Sequence, residues 1–449
     1  MITISQTIQL LPNNKQKTYF RKAMGCARLA YNWGLSEWKR RYDLGERNVN
    51  ANCLRNAFNA IRAEQFPFTY EVTKYATSRA FADLQDGLIR YFKGGDNFPK
   101  FKKKRDNEGS FYIFKDKGQV VLSETNRKLK FLKKKPHNIG GKRQYLNVPK
   151  LGYVKMTEHL RFNGHLNGIR ILQDGDRFFA RFSVDITEEE YFRTHTNAKS
   201  GIKKRVVGID MGLKSALILS DGIAIDHPRP IKKYIRKLSQ QNRKLRKRRY
   251  ARTKQESLQG VKRSVNFKKL ALKIRKTHYR VANIRRDFSH KVSTIIVNCY
   301  DRIGVETLNV KGMMHNHRVA QAVGDSSMSK ILFLINQKAA WNGAVVIKAE
   351  PFYPSSKTCS CCGNVKENLG LGERVYHCER CGVQMDRDYN AARNLLSLAV
   401  NQKIGMGHPE STPADLTALL NLFARNGIAT SKVETGRKQK PQHSNTAVL

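Results

Sequence analysis

The stretch "TCSCCGNVKENLGLGERVYHCERCG", Thr358 to Gly382, constrains this chain more than any other. Cys359 and Cys362 form one Cys-x-x-Cys, Cys378 and Cys381 form a second, and fifteen residues separate the pairs. Gly363 and Gly382 follow the pairs and let the backbone turn beneath the sulfurs. Thiolates at this spacing fill a tetrahedral zinc site, and four protein sulfurs leave no open position, so the expected zinc is structural. The other cysteines are Cys26, Cys53, Cys299 and Cys361, so five of eight fall in this window. In a reducing compartment such a cluster is a metal site rather than a disulfide framework. Cys361 is the odd residue, because only Cys359 and Cys362 have the two-residue gap of a knuckle.

Directly after the second pair comes "MDRDYNAARN", with Asp386 and Asp388 one residue apart at the start of a helical pattern. Acids are sparse elsewhere. Asp210 ends an apolar strand, "VVGID", and Glu306 ends another, "RIGVE". Neither position suits a charge unless it is paired or binds metal, and the C-terminal ends of strands are where α/β folds gather their sites. Each acid alone reads as a solvated strand end or a helix cap. Together, two strand-end acids and one helix-start acid could hold two Mg²⁺ ions ~3.5–4 Å apart for phosphodiester cleavage. Spacing alone does not choose between Asp386 and Asp388.

Charge names the class of partner. Lys and Arg number 84 against 36 acids, a formal charge of +48 over 449 residues. So large a surplus repels itself and calls for a polyanion, nucleic acid before an anionic membrane. No apolar run is long enough to span a bilayer. The opening "MITISQTIQLLPNNKQK" lacks the features of a signal peptide. The expected location is cytoplasmic, at the nucleoid when bound to DNA. From Arg229 to His290 there are 23 Lys and Arg against Glu256 and Asp287, and the segment reads as two long basic helices joined near Gly260. Arg246, Lys247, Arg248 and Arg249 within it, and Lys102, Lys103 and Lys104 in "FPKFKKK", are candidate phosphate contacts.

Periodicity orders the rest. "MITISQTIQLLP" alternates as a strand, and beyond Pro12 Phe20, Ala23, Met24, Ala27, Ala30, Tyr31 and Trp38 recur as an amphipathic helix. A second helix spans about Thr73 to Phe92; the aromatics of both read as helical-bundle core rather than base-stacking groups. Phe98 to Ile186 is β-rich, of barrel or sandwich type. "EEEYFRTHTNAKSGIKKR" reads as a polar linker. "RVVGIDMG", "SALILSDG", "IAIDHP", "DRIGVETL" and "VVIKAEP" are strands of a sheet covered on both faces, and "SSMSKILFLINQKAAWNGA" is a helix capped by Ser326 or Ser327. Thr412 and Pro413 open a short helix through Phe423, and the end of the chain reads as disordered.

"VVGIDMGLKSALILSDG", "RIGVETLNVKGM", "YPSSKTCSCCG", "YHCERCG" and "DRDYNAARNLL" resemble the RuvC and zinc-ribbon motifs of TnpB, the RNA-guided DNA endonucleases of insertion sequences related to type V CRISPR effectors. The specific likeness spans about Val206 to Leu396, and "AYNWGL" and "FPKFKKK" extend it into the N-terminal half. The resemblance implies a multidomain α+β and α/β protein. A β-barrel wedge domain (1–12 and 97–190) would carry an inserted helical recognition domain (13–96). An RNase H-like (RuvC) nuclease domain (201–348 and 385–432) would carry an inserted zinc ribbon (349–384), and 433–449 would be a disordered tail. It implies Asp388, rather than Asp386, as the catalytic companion of Asp210 and Glu306, all three holding Mg²⁺. The implied partners are a guide RNA from the transposon end and double-stranded target DNA beside a short flanking motif, in a monomeric ribonucleoprotein. Three alternatives remain: a guided DNA-binding regulator that does not cut, a DNA-strand transposase or transposition accessory, and an RNA-binding protein with no catalysis.

Overall fold

The computed structural model describes residues 1–95, 97–103, 108–113, 120–122, 132–134, 144–194, 205–248, 264–370, 372–401, 416–433 and 437–438. The chain divides into two compact units, Met1–His195 and Thr196–Leu449.

In the first unit, β1 (Ile2–Leu11) alternates as expected, with Ile2, Ile4, Ile8 and Leu10 buried. Gln6 shares that face and is satisfied there: its amide donates to the His159 carbonyl (3.0 Å) and accepts from the Arg161 N–H (2.9 Å). Asn13 then caps α1 (Asn14–Asp43) in a capping box with Gln16. Helices α2 (Ala51–Gln65) and α3 (Lys74–Phe92) pack on α1 around Leu35, Trp38, Phe58, Phe81 and Leu84. The bundle core expected from the aromatics is present.

The β-rich module comprises β2 (Glu108–Tyr112), β3 (Val120–Leu122), β4 (Leu132–Lys134), β5 (Gln144–Val148), β6 (Gly152–Met156), β7 (Gly164–Asp174) and β8 (Arg177–Ile186). They form one antiparallel sheet in the order β2-β7-β8-β1-β6-β5-β4, with β3 also on β7. Strand β1 is thus recruited from the start of the chain, in register from Ile2↔Ile186 to Leu10↔Phe178. The expected polar linker begins instead as a helix, α4 (Glu188–Thr194). The Thr187 hydroxyl accepts from the Glu190 N–H (3.2 Å), three glutamates occupy the positive first turn, and Tyr191 is buried.

The second unit opens with β9 (Arg205–Asp210), β10 (Ser215–Leu219) and β11 (Ile223–Asp226), followed by the basic helices α5 (Pro230–Arg246) and α6 (Val265–Cys299). Helix α6 outruns the expected end at His290. Asp325 holds the two basic helices: it pairs with Arg285 (2.8 Å) and accepts from the Ile231 N–H at the start of α5 (3.1 Å). The linker near Gly260 lies outside the described residues. Next come β12 (Tyr300–Val305), the short α7 (Val310–His315) and α8 (Ala320–Ser326), α9 (Met328–Asn342) and β13 (Val345–Lys348). Ser327 occupies the N-cap position of α9 but in a left-handed conformation and without a side-chain cap bond, so the expected Ser cap supplies position and no hydrogen bond. The chain ends with β14 (Val375–His377), β15 (Val383–Asp386), α10 (Arg387–Asn401), α11 (Leu416–Arg425), β16 (Thr430–Lys432) and β17 (Arg437–Lys438). Thr412 and Pro413 lie outside the described residues. So does the expected disordered tail, except Val433 and β17, which pairs with β15.

The central sheet runs β13-β12-β9-β10-β11-β16, with β9 parallel to β12 and β12 parallel to β13. Alternation along β9 and β12 sorts their residues between two faces. Val207, Ile209, Ile303 and Val305 face α6, α9 and α11 in the main core. Gly208 and Gly304 face α10, and they are paired in register. A Cβ at Gly208 would lie 1.9 Å from the Ala392 carbonyl oxygen, and one at Gly304 2.2 Å from that of Leu395. The glycines let the backbone of α10 lie directly on the sheet. Gly208→Ala or Gly304→Ala is expected to destabilise the chain by about 3 kcal/mol, because neither the helix backbone nor the strand can give way. Urea unfolding of each variant against the parent measures this.

A candidate carboxylate centre beside a four-cysteine knuckle

Two residues after each glycine stands an acid: Gly208-Ile209-Asp210 and Gly304-Val305-Glu306. Because the glycines are in register, the period of two places Asp210 and Glu306 on the α10 face at the C-terminal ends of adjacent parallel strands. Helix α10 lies across the same face and brings its first turn, with Asp388, toward them. The three acids expected to act together are therefore assembled.

Asp386 has a different job. Its Oδ1 accepts from the Asp388 N–H (2.9 Å) and the Tyr389 N–H (3.0 Å), so it is the N-cap of α10. The Asp388 carboxylate lies 3.2 Å from Arg387 Nε and 3.9 Å from Arg374. Asp210 is buried; burial, then the charges of Glu306 and Asp388, push its carboxyl well above the usual range against the pull of Arg387. Burial also raises Glu306, opposed by the Ser355 hydroxyl that donates to its Oε1, and reinforced by Asp388.

Asp210, Glu306 and Asp388 raise one another's charge cost, eased in part by Arg387 and Arg374 beside Asp388, and such a set is relieved by a divalent cation or by protons. Their all-oxygen donor set fits a hard ion such as Mg²⁺. They are spread more widely than the cysteines, whose sulfurs alone among the described donor groups all lie within 4.8 Å of one another.

Cys359 Sγ lies 3.6 Å from Cys381 Sγ, and Cys362 Sγ 3.6 Å from Cys378 Sγ. A disulfide needs about 2 Å, whereas two sulfurs on one tetrahedral zinc stand about 3.8 Å apart. Gly363 and Gly382, at φ +74° and +68°, donate back to the carbonyls of Cys359 and Cys378. Burial pushes the Cys359 thiol to about 12. Burial also raises Cys378, but N–H groups at Cys381 and Arg380 with the facing sulfurs bring it to about 7. The set fits zinc, and Cys361 stands exposed outside it.

Helix α10 joins the two centres. Asn390 donates to the Thr358 carbonyl (2.7 Å) and accepts from the Ser360 N–H (2.9 Å). Asn394 donates to the carbonyls of Ser355 (2.7 Å) and Thr358 (2.6 Å). Ser355, so fixed, holds Glu306. Reading by residue type missed Ser355, Asn390, Asn394 and the two glycines. The repeated Gly-x-acid at the strand ends was the available signal, as was the i, i+4 spacing of the asparagines.

The candidate phosphate contacts fare unevenly. Lys103, Arg246, Lys247 and Arg248 are exposed, while Lys104 and Arg249 lie outside the described residues. Lys102 is exposed as well, and it is also tied to its neighbours. Its ammonium sits 3.5 Å from the Tyr31 ring centre, its backbone is latched by Asn32 in both directions, and desolvation lowers its pKa. A cleft of about 1600 Å³ beside Asp386 and Asp388 supplies cations that the sequence did not single out, Lys214, Arg229, Arg374 and Lys432. No helix among the described residues is long and apolar enough to cross a membrane.

Fold and site define a class: a strongly basic α/β protein with a carboxylate centre at parallel strand ends, braced by a four-cysteine knuckle. Three family descriptions match along the chain: "Helix-turn-helix domain" over residues 1–47, "Probable transposase" (OrfB of IS605) over 183–317, and "Cas12f1-like, TNB domain" over 329–395. In this chain the first of these regions holds β1 and the long helix α1. Among relatives named "Putative RNA-guided DNA endonuclease", one from Streptomyces pristinaespiralis is 26% identical, covering 86% of this chain and 87% of its own. Another, InsQ of Escherichia coli K12, is 24% identical, covering 89% and 94%. A solved Cas12f1–sgRNA–target DNA complex aligns with TM-score 0.48 at 14% identity, covering 84% of this chain and 81% of that one. The chain belongs to the TnpB family of IS605-type elements, related to Cas12f.

An acid whose folded-state pKa lies above its unfolded value keeps its proton longer in the folded chain, so stability falls as pH rises past the unfolded value. Without added Mg²⁺, Asp210→Asn is therefore expected to melt higher than the parent by a few °C at neutral pH. The gap should close as pH falls below about 4, and saturating Mg²⁺ should narrow it. Thermal unfolding across pH, with and without Mg²⁺, checks each part.

Proposed function

We propose that this chain is an RNA-guided DNA endonuclease: it carries a guide RNA derived from its transposon end and cuts double-stranded DNA beside a short flanking motif. The observation that carries the reading is the in-register pair Asp210 and Glu306 with Asp388 above them, in a chain of +48. The relatives' names supply the guided DNA substrate.

In this reading the second unit is an RNase H-like nuclease domain with an inserted zinc ribbon. The first is a wedge barrel, built on the antiparallel sheet, with an inserted helical recognition domain. Base pairing to the guide selects the sequence, and the protein holds backbone and shape. Cations of the cleft beside Asp388 take the phosphates of the displaced strand and present one to the acids. Asp210, Glu306 and Asp388 would hold two Mg²⁺ ions, which when bound supply an activated water and charge stabilisation of the leaving oxygen. Burial keeps bulk water from Asp210, Ser355 fixes the Glu306 carboxylate, and Asp386 fixes the start of the helix that carries Asp388. Structural zinc on Cys359, Cys362, Cys378 and Cys381 braces the loop that Asn390 and Asn394 hold. The complex is expected to be monomeric and associated with the nucleoid.

Asp388→Ala is expected to abolish cleavage while guided binding survives. Asp386→Ala should cost about 1 kcal/mol of stability and reduce cleavage without abolishing it. Equal loss from both would show that the two aspartates are not divided in role. Purification from cells carrying the adjacent transposon end, with sequencing of bound RNA, tests the guide: a discrete transposon-end RNA is expected, and none would overturn the guided reading. RNA-programmed cleavage assayed beside strand transfer separates the nuclease from a transposase.

A further inference from the structure

The bundle of the first unit buries its aromatics at one end and exposes them at the other. Trp38 stacks on Tyr42 (ring centres 4.8 Å apart, 19° between planes) and meets Phe92 and Phe98 at 6.1 and 6.0 Å. Tyr91 meets Phe98 edge-on at 5.1 Å. Unlike the core rings Phe58 and Phe81, several of these face solvent: Phe92 is 58% exposed, Phe101 49% and Tyr91 39%. Cations are interleaved with the rings. The Lys39 ammonium lies 5.2 Å from the Phe98 centre and 5.5 Å from that of Phe101, and the Arg47 guanidinium 4.1 Å from that of Tyr42. Of the acids at this end of α1, Glu37 is held by Arg40 and Arg41, Glu46 pairs with Arg41, and Asp43 is exposed beside Tyr42.

Scattered exposed apolar residues need no explanation, but a contiguous patch does. Aromatic rings and Arg also mark protein interfaces, but on a chain of +48 the cations among the rings favour a polyanion. Rings alternating with ammonium and guanidinium groups match a single-stranded nucleic acid, whose bases offer π-faces and whose backbone offers phosphates. The partner best placed to cover such a patch is the one carried throughout the life of the complex, which in the proposed function is the guide RNA rather than the transient target.

We propose that the aromatic–cationic patch at the ends of α1 and α3, centred on Phe92, Phe101 and Lys39, is a stacking platform for an unpaired stretch of RNA. This rests on the guided reading for the source of the strand, while the platform itself is tested separately. Phe92 and Phe101 lie outside the buried core of the bundle, so truncating them leaves that core filled.

The test compares the full chain with a Phe92→Ala/Phe101→Ala variant and a Phe92→Tyr/Phe101→Tyr variant that keeps the rings. Each is titrated into a labelled single-stranded RNA of about 12 nucleotides and into an RNA duplex of equal length, across salt. The Ala variant is expected to bind the single strand about tenfold more weakly, with unchanged salt slope and unchanged duplex affinity; the Tyr variant should match the parent. Equal single-strand affinity of Ala variant and parent, or an equal loss on the duplex, overturns the platform and leaves the guided reading standing. A shift in oligomeric state by light scattering, with RNA affinity unchanged, overturns it in favour of a contact between copies. A parent chain that binds neither RNA overturns both proposals.

Discussion

Everything in the second unit follows from one close approach, the backbone of α10 lying against Gly208 and Gly304. A side chain at either position would lift the helix by more than an ångström, because the atoms it meets are backbone and cannot swing aside. The same contact sets the height of Asp388 above the sheet. It also brings Asn390 and Asn394 within reach of the cysteine loop and so, through Ser355, of Glu306. Sheet, helix and knuckle are three parts of one hydrogen-bonded assembly, and displacing the helix would disturb all of them.

The acids are placed where folding alone would not put them. Asp210 is buried among like charges, which costs stability at neutral pH and is the strain that the proposed Mg²⁺ would relieve. The remainder of the molecule carries the opposite excess, +48, which is likewise unfavourable until a polyanion neutralises it. Both strains point outward, one to metal and one to nucleic acid.

Much of this was legible in the residues. The zinc knuckle followed from spacing, since two thiolate pairs with turn glycines admit few other structures, and the sulfurs do converge. Strands β1 and β9 followed from period and apolarity. Asp388 was preferred over Asp386 by likeness to a family motif; in the structure Asp386 caps the helix, and Asp388 meets Arg387 and Arg374, a difference that supports the proposed division of roles. Lys102 is exposed, but its ammonium also meets Tyr31, seventy-one residues away in sequence, a contact that no local pattern announces. The aromatics of α1 and α3 were read as core, correctly for Phe20, Trp38 and Phe81 but not for Tyr91 and Phe92. Helical periodicity marks a face and does not say where along its length the cover ends.

By itself, the sequence determined the quantities set by composition and local spacing: the charge, the four-cysteine ligand set, the alternation of β1, and the presence of acids at strand ends. Only the tertiary structure decided which of these meet. Register between β9 and β12 made Asp210 and Glu306 neighbours, glycine contacts under α10 set the third acid over them, and two asparagines tied the knuckle to the same site. The reason is that a strand-end acid is a local fact, whereas a site is a set of distances between segments far apart in the chain, and those distances exist only once the helix has packed on the sheet.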